Sequence, residues 1–378
     1  MINEVPYDYT NSSNPWLIER NNNIAIRDKE GNKLTAAYIW SKEGKDREDL
    51  VNYVFNYYRE KGFPNLGLSN EDLLKEFEKL KKKDPDDVIN EDGYIKNSSS
   101  LVNYVYKSFV WDKINSVSGS GKTKSVLDVF NNDELLLKVI KNRMGYCSTK
   151  EDGEERAYVF SISDKMILQG IRSSGHGFNV SLFKPVVAKY LYKHYAKSSV
   201  LDYSAGWGAR ALSAMSLDLE YYGIDPLTAG EINNMMEFFG GRGRVIEGCS
   251  EDISSYKEIP MVDCVMSCPP YYDIEIYSND ENQSINKYNN YNDWINDYWS
   301  GTVSNCLSRL KDDGYFIVVI KDVVKKYNLA EDMINICEEN GLKIEKELRY
   351  KTSNSHLSGK KKTKKIDKNN EIIYIMKK

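Results

Sequence analysis

The chain of 378 residues reads as an α/β protein. A mostly parallel sheet covered by helices on both faces is preceded by a mostly helical N-terminal domain, and the sheet closes in an antiparallel terminal hairpin. Three observations predict this. From residue 182 onward, short apolar runs alternate with amphipathic segments. The runs VLDY (200–203), YYGI (221–224), VDCVMS (262–267) and YFIVVI (315–320) are continuously apolar rather than alternating, as in strands buried on both faces. The last two strand-like segments, 343–351 and 371–376, have no helix between them and so pair as a hairpin at a sheet edge.

The elements follow in order. Helices are expected at 183–195, 208–217, 228–239, 251–256, 291–310 and 328–340. Strands are expected at 199–203, 220–224, 243–248, 262–267 and 315–321, before the terminal pair. The expected domains are 1–150, an accessory region and the candidate for target recognition, and 151–378. In the first domain, 46–60 puts Leu50, Tyr53, Val54 and Tyr57 on one helical face. Ser69, with Asp72 three residues on, reads as a capping box opening an amphipathic helix. Segment 100–113 fits helix or strand, and 132–145 reads helical up to Gly145. The segment SVSGSGKT (116–123) imitates a phosphate-binding loop, but Ser116 stands where that loop needs glycine, so it reads as a linker.

Charge is unevenly spread. The net is -4, yet residues 342–378 carry twelve Lys/Arg against four Asp/Glu. A basic tail on an acidic body suits contact with phosphate. The six cysteines include no CxxC pair and the three histidines lie far apart, so no metal site is expected. No signal-like start and no apolar stretch near 18 residues appears, so no membrane partner is expected. The expected location is inside a cell: cytoplasmic or nucleoid-associated in a bacterium, or within a host cell for a viral protein. Oligomeric state is not legible.

Strand VLDY runs directly into SAGWGAR, where Gly206 and Gly208 let the chain turn tightly against a ligand before a helix. The next strand ends in Gly-Ile-Asp-Pro, placing Asp225 and Pro226 at its C-terminal edge. There a carboxylate can accept ribose hydroxyls or, alternatively, cap the next helix. The following strand ends near Glu251 and Asp252, beside an expected adenine pocket.

These residues resemble the class I S-adenosylmethionine-dependent methyltransferases. The cofactor-wrapping D-x-x-x-G-x-G segment of that family stands here as Asp202-Tyr203-Ser204-Ala205-Gly206-Trp207-Gly208, and its second-strand acid as Asp225. The resemblance covers about 200 residues, implies S-adenosylmethionine as cofactor, and implies a Rossmann-like seven-stranded methyltransferase sheet with an antiparallel terminal hairpin. Upstream, GHGFNVSLFKP (175–185) resembles the segment that DNA amino-methyltransferases fold over the methionine part. Phe183 and Pro185 match its F-x-P element, and Asn179 and Ser181 are polar candidates.

Strand VDCVMS ends in Cys268-Pro269-Pro270-Tyr271-Tyr272. Two prolines there remove backbone donors, which suits a strand that has left the ladder to form a rigid loop with free carbonyls and a flat ring. This resembles the (D/N/S)-P-P-(Y/F/W) motif of N6-adenine and N4-cytosine methyltransferases. Cys268 departs from it, and a thiol is a weak acceptor. The resemblance implies transfer of a methyl group to an exocyclic amine of a DNA base, adenine N6 ahead of cytosine N4. Methylation of an RNA base is one alternative. A second is attack on pyrimidine C5 by a Cys268 thiolate. A third is a nucleic-acid-binding protein without activity. Tyr272, Glu275 and Tyr277 are candidate base contacts, and Arg349, Lys360, Lys361 and Lys362 are candidate phosphate contacts.

Overall fold

In the computed structural model, the described residues are 25–90, 94–96, 102–119, 123–146, 159–174, 177, 178, 180–273, 277, 280–288, 290–321, 327–351 and 370–378. The chain forms two compact units, Met1–Leu66 with Asn115–Val180, and Gly67–Ile114 with Ser181–Lys378. The units interleave in sequence, whereas the sequence reading draws one boundary near residue 150. Segment 67–114 accounts for the difference. Its helix Asn70–Lys82 buries Leu73, Phe77 and Leu80 in a core of the sheet-bearing unit, together with Val105 and Tyr106.

The first unit is helical. Helices Gly44–Lys61, Asp133–Arg143 and Asp164–Ser173 bury Val51, Val54, Tyr58, Leu136, Ile140, Ile167 and Leu168. A short extended tie joins it, with Ile26 N–H donating to Ile162 and Ile162 N–H donating to Leu34. Asp164 accepts from Tyr58 Oη at 3.2 Å and from Lys61 Nζ at 2.7 Å.

The second unit carries an eight-stranded sheet. Its strands are β1 (Tyr94–Lys96), β2 (Ser199–Asp202), β3 (Glu220–Ile224), β4 (Arg242–Ile246), β5 (Val262–Ser267), β6 (Leu310–Lys321), β7 (Lys343–Lys351) and β8 (Asn370–Lys377). Their spatial order is β1-β7-β8-β6-β5-β2-β3-β4. Only β8 runs antiparallel, pairing with both β6 and β7. Without β1, this is the expected seven-stranded Rossmann-like methyltransferase sheet. β1 is an unforeseen addition, laid parallel along β7 with Ile95 opposite Tyr350. Three residues flanked by polar chain give no period to read.

Alternate side chains of the strands feed two cores, one on each face. Val200, Cys264, Met266 and Ile317 join helices Pro185–Tyr195, Ala209–Met215 and Ala229–Phe239 on one face. Leu201, Val265, Phe316 and Val318 join Trp294, Trp299, Val303 and Met333 on the other. The helix expected at 291–310 is observed from Tyr291 to Leu307, with a π-helical turn at Trp294–Trp299. The capping box expected at Ser69 is half formed. Ser69 Oγ accepts from Asp72 N–H at 3.2 Å, but the Asp72 carboxylate bonds the Ser69 hydroxyl rather than its backbone. A full box stands at Ser125 and Asp128. Among the described residues, no helix is long and apolar enough to cross a membrane.

Candidate cofactor and acceptor site

In a sheet of this type, ligands bind beyond the carboxyl ends of the strands, where the direction of winding reverses. Here that point lies between β2 and β5. The chain leaves β2 toward β3 and β4 on one side, then returns to β5 and β6 on the other. Register pairs Val200 with Cys264 and Leu201 with Val265. Asp202 and Ser267 therefore end adjacent strands, and the Ser267 hydroxyl donates to Asp202 Oδ1 at 2.7 Å. The glycine turn and the Pro-Pro-Tyr loop begin side by side.

Gly206 and Gly208 have φ of +61° and +85°, the left-handed region that favours glycine. A Cβ at Gly206 would meet nothing closer than 3.6 Å, so the turn presents open backbone. Both sides of the Gly206 peptide link are held. Its N–H donates to Asp225 Oδ2 at 2.8 Å, and its carbonyl accepts from the Thr228 hydroxyl. Asp225 Oδ1 accepts the N–H groups of Leu227 and Thr228 at 2.9 Å each. The N-cap position of the following helix is Thr228, so the expected capping role of Asp225 is not realised as such, and its carboxylate braces the turn that leads into that helix. Three donors leave a carboxylate room for about one further hydroxyl. Burial raises its carboxyl above the ordinary aspartate range, against the lowering effect of those backbone bonds.

Asp202 is fully buried. Besides Ser267, it accepts from Arg210 Nε at 2.6 Å and from Tyr221 Oη at 2.7 Å. Arg210 also donates to the Ser204 carbonyl, and its guanidinium lies 5.4 Å from the Phe183 ring centroid. Burial penalises the charge of Arg210. The Asp202 carboxylate outweighs that, so the guanidinium is held above its already high range. Asp202 therefore sits beneath the turn, enclosed by protein donors. Pro185 opens helix Pro185–Tyr195, and its carbonyl accepts from Ser213 Oγ at 2.8 Å. Ser181 is exposed.

On the neighbouring strand end, Glu251 is held by Lys287 Nζ at 2.7 Å and by Tyr288 Oη at 3.3 Å. Asp252 caps the short helix Ile253–Tyr256, accepting from Ser254 N–H at 2.8 Å. Ile253, beside it, is 57% exposed.

In the acceptor loop, the Cys268 thiol lies 3.2 Å from Tyr271 Oη, and Tyr271 is half-buried. Tyr272, expected to face the acceptor, points inward instead. It is 8% exposed, has φ of +52°, and packs against the rings of Tyr291, Trp294 and Tyr327. Its neighbours form an aromatic core that takes one more ring more favourably than water does. Tyr277 meets Trp207 edge to face with ring centroids 6.1 Å apart, so the glycine turn and the acceptor loop touch. Arg349 is exposed at the end of β7, beside the Tyr94 ring. Three strand spacings separate β7 from β5, about 14 Å, so Arg349 lies toward the rim of the site. Asn179, Glu275, Lys360, Lys361 and Lys362 lie outside the described residues, as do residues 120–122 of the loop-like segment.

One contributor escaped the sequence reading, Arg210. Arg210 carries a usable signal, a charge on the buried face of an otherwise apolar helix, where a partner is obligatory.

No family model and no curated protein matches the chain. Among solved structures, the chain is similar to TrmN from Thermus thermophilus at 14% identity, over 51% of this chain and 48% of that one, with a TM-score of 0.35. It is similar to a SAM-dependent O-methyltransferase from Thermotoga maritima at 14% identity, over 53% and 67%, with a TM-score of 0.33. It is similar to an rRNA methylase from Streptococcus thermophilus at 12% identity, over 53% and 99%, with a TM-score of 0.32. The chain spans about half the length of TrmN. The fold assignment stands on strand order and connectivity: the sheet-bearing unit has the class I S-adenosylmethionine-dependent methyltransferase fold.

Proposed function

We propose that the sheet-bearing unit transfers a methyl group from S-adenosylmethionine to an exocyclic amino nitrogen of a nucleic-acid base. Adenine N6 in DNA is the first reading. The observation that carries the proposal is the buried 2.7 Å bond between Ser267 and Asp202. It ties the loop suited to a cofactor to the loop suited to a base amine at the switch point of the sheet.

The residues fit the cofactor. The open backbone at Gly206 and the remaining acceptor capacity of Asp225 offer a turn and a ribose partner. Bound there, S-adenosylmethionine supplies an electrophilic sulfonium methyl. The protein's own part is positioning, because a displacement at carbon needs a nearly collinear approach. Pro269 and Pro270 stiffen the loop and leave its carbonyls without competing N–H groups nearby. Those carbonyls accept the two N–H donors of an exocyclic amine and aim its lone pair. Tyr271 offers a face on which a base stacks, worth about 1–3 kcal/mol. A duplex base reaches such a pocket only after leaving the stack, whereas a single-stranded RNA loop presents it directly.

The test incubates the full chain and isotopically methyl-labelled S-adenosylmethionine with duplex DNA, single-stranded DNA or structured RNA, followed by mass spectrometry of the nucleosides. Labelled N6-methyladenosine or N4-methylcytidine, in deoxy or ribo form, supports the proposal and names the polymer. Label on no nucleoside in any arm overturns it.

A further inference from the structure

Arg210 touches the end of β2, the glycine turn, the base of the acceptor loop and the F-x-P element. It ion-pairs with Asp202 at the end of β2 and donates to the Ser204 carbonyl in the turn. Its Nη2 lies 3.5 Å from Ser267 Oγ, at the base of the acceptor loop, and its guanidinium faces Phe183 of the F-x-P element. The pair is buried, with side-chain exposures of 7% and 0%.

Buried ion pairs are a poor route to stability, since desolvation offsets most of their attraction and apolar replacements often do as well. This one lies at the carboxyl ends of β2 and β5, where the fold binds ligands. The contacts form a continuous line. Asp225 holds the Gly206 N–H, and two residues earlier in the turn Arg210 holds the Ser204 carbonyl. Arg210 holds Asp202, and Asp202 holds Ser267, which precedes Cys268 directly. A ribose hydroxyl bound at Asp225 adds a donor to the carboxylate that already holds the Gly206 N–H. The turn then shifts against a guanidinium whose remaining bonds reach the acceptor loop.

We infer that this Asp202–Arg210–Ser267 network couples occupancy of the cofactor turn to the position of the Cys268–Tyr271 loop, with Arg210 as its positioning residue. The inference rests on reading the turn as the S-adenosylmethionine site. Through it, the base-binding loop is held in its base-receiving position when the methyl donor is present.

The test is hydrogen exchange by mass spectrometry on the full chain, with and without saturating S-adenosylmethionine. In the native chain, the cofactor slows exchange at least tenfold in peptides covering both 204–210 and 266–273. In Arg210→Met, the cofactor still slows exchange in 204–210 but not in 266–273. Ser267→Ala keeps the ion pair and removes only the link to the loop. It gives the same split, and it decides the matter if Arg210→Met does not fold. Equal protection of 266–273 in the native chain and Ser267→Ala overturns the inference. So does a native chain that binds the cofactor without protecting 266–273. A native chain that binds no S-adenosylmethionine overturns the functional proposal itself, a result distinct from the other two.

Discussion

Gly206 N–H donates to Asp225 Oδ2 across 2.8 Å, while Oδ1 of the same carboxylate takes the N–H groups of Leu227 and Thr228. One side chain therefore fixes the glycine turn and the start of the next helix together. Asp225→Ala strands these donors and lowers stability by about 1–3 kcal/mol. It also lowers S-adenosylmethionine affinity at least tenfold. Asp225→Asn keeps one acceptor, so its stability loss is smaller while affinity still falls. Urea unfolding and equilibrium dialysis separate the two effects. Native-like affinity in Asp225→Ala contradicts the ribose role.

The raised carboxyl of Asp225 gives a pH signature. Ribose hydroxyls bond the charged form, so affinity falls as pH falls, and the fall begins above the ordinary aspartate value of 3.8. For stability the sign is opposite. The folded state holds this proton more tightly than the unfolded chain, so the group's contribution declines as pH rises from 3.8 through the raised folded value. Asp225→Asn removes both dependences. Dialysis and unfolding across acid pH, native against variant, measure them.

Cys268 separates two chemistries. Its thiol lies against the Tyr271 hydroxyl, the arrangement of a pocket wall. Cys268→Ala is expected to lower turnover by no more than about tenfold, a loss on the scale of one hydrogen bond. Tyr271→Ala is expected to lower it by about tenfold to a hundredfold, the loss of one stacking face, with cofactor affinity unchanged. Complete loss of activity in Cys268→Ala, with a covalent pyrimidine adduct in the native chain, would favour attack at C5 instead.

Much of this fold was legible because its strands are buried on both faces and its helices on one. The hairpin strand 343–351 begins and ends where the hydrophobic pattern says, and β5 spans 262–267 as read. The eighth strand and the unit boundaries were not legible. Tyr94–Lys96 acquires its strand state from pairing with β7 alone, and segment 67–114 joins the sheet by packing that no local period encodes. Motif positions were readable, but side-chain directions were not. Sequence spacing cannot tell that Tyr272 turns into the aromatic core, or that Asp202 is enclosed by Arg210, Tyr221 and Ser267.

Lys189 serves as a control for fold without chemistry. It is 2% exposed, and its Nζ donates to the carbonyls of Leu80, Lys81 and Lys83 at 2.6, 2.9 and 2.9 Å. A cation there satisfies the last carbonyls of helix Asn70–Lys82 and complements its dipole. Lys189→Met leaves those carbonyls without their donor and lowers stability by about 2–3 kcal/mol. Cofactor affinity stays native at temperatures where the variant is folded. A loss under about 0.5 kcal/mol in urea unfolding contradicts the capping role.

The account stands on the glycine turn beside Ser267 being a site for S-adenosylmethionine. Equilibrium dialysis of the full chain against labelled S-adenosylmethionine addresses this most directly. The expected result is saturable binding of one cofactor per chain, competed by S-adenosylhomocysteine and lost in Asp225→Ala. Binding absent at millimolar cofactor, or unchanged in Asp225→Ala, contradicts it.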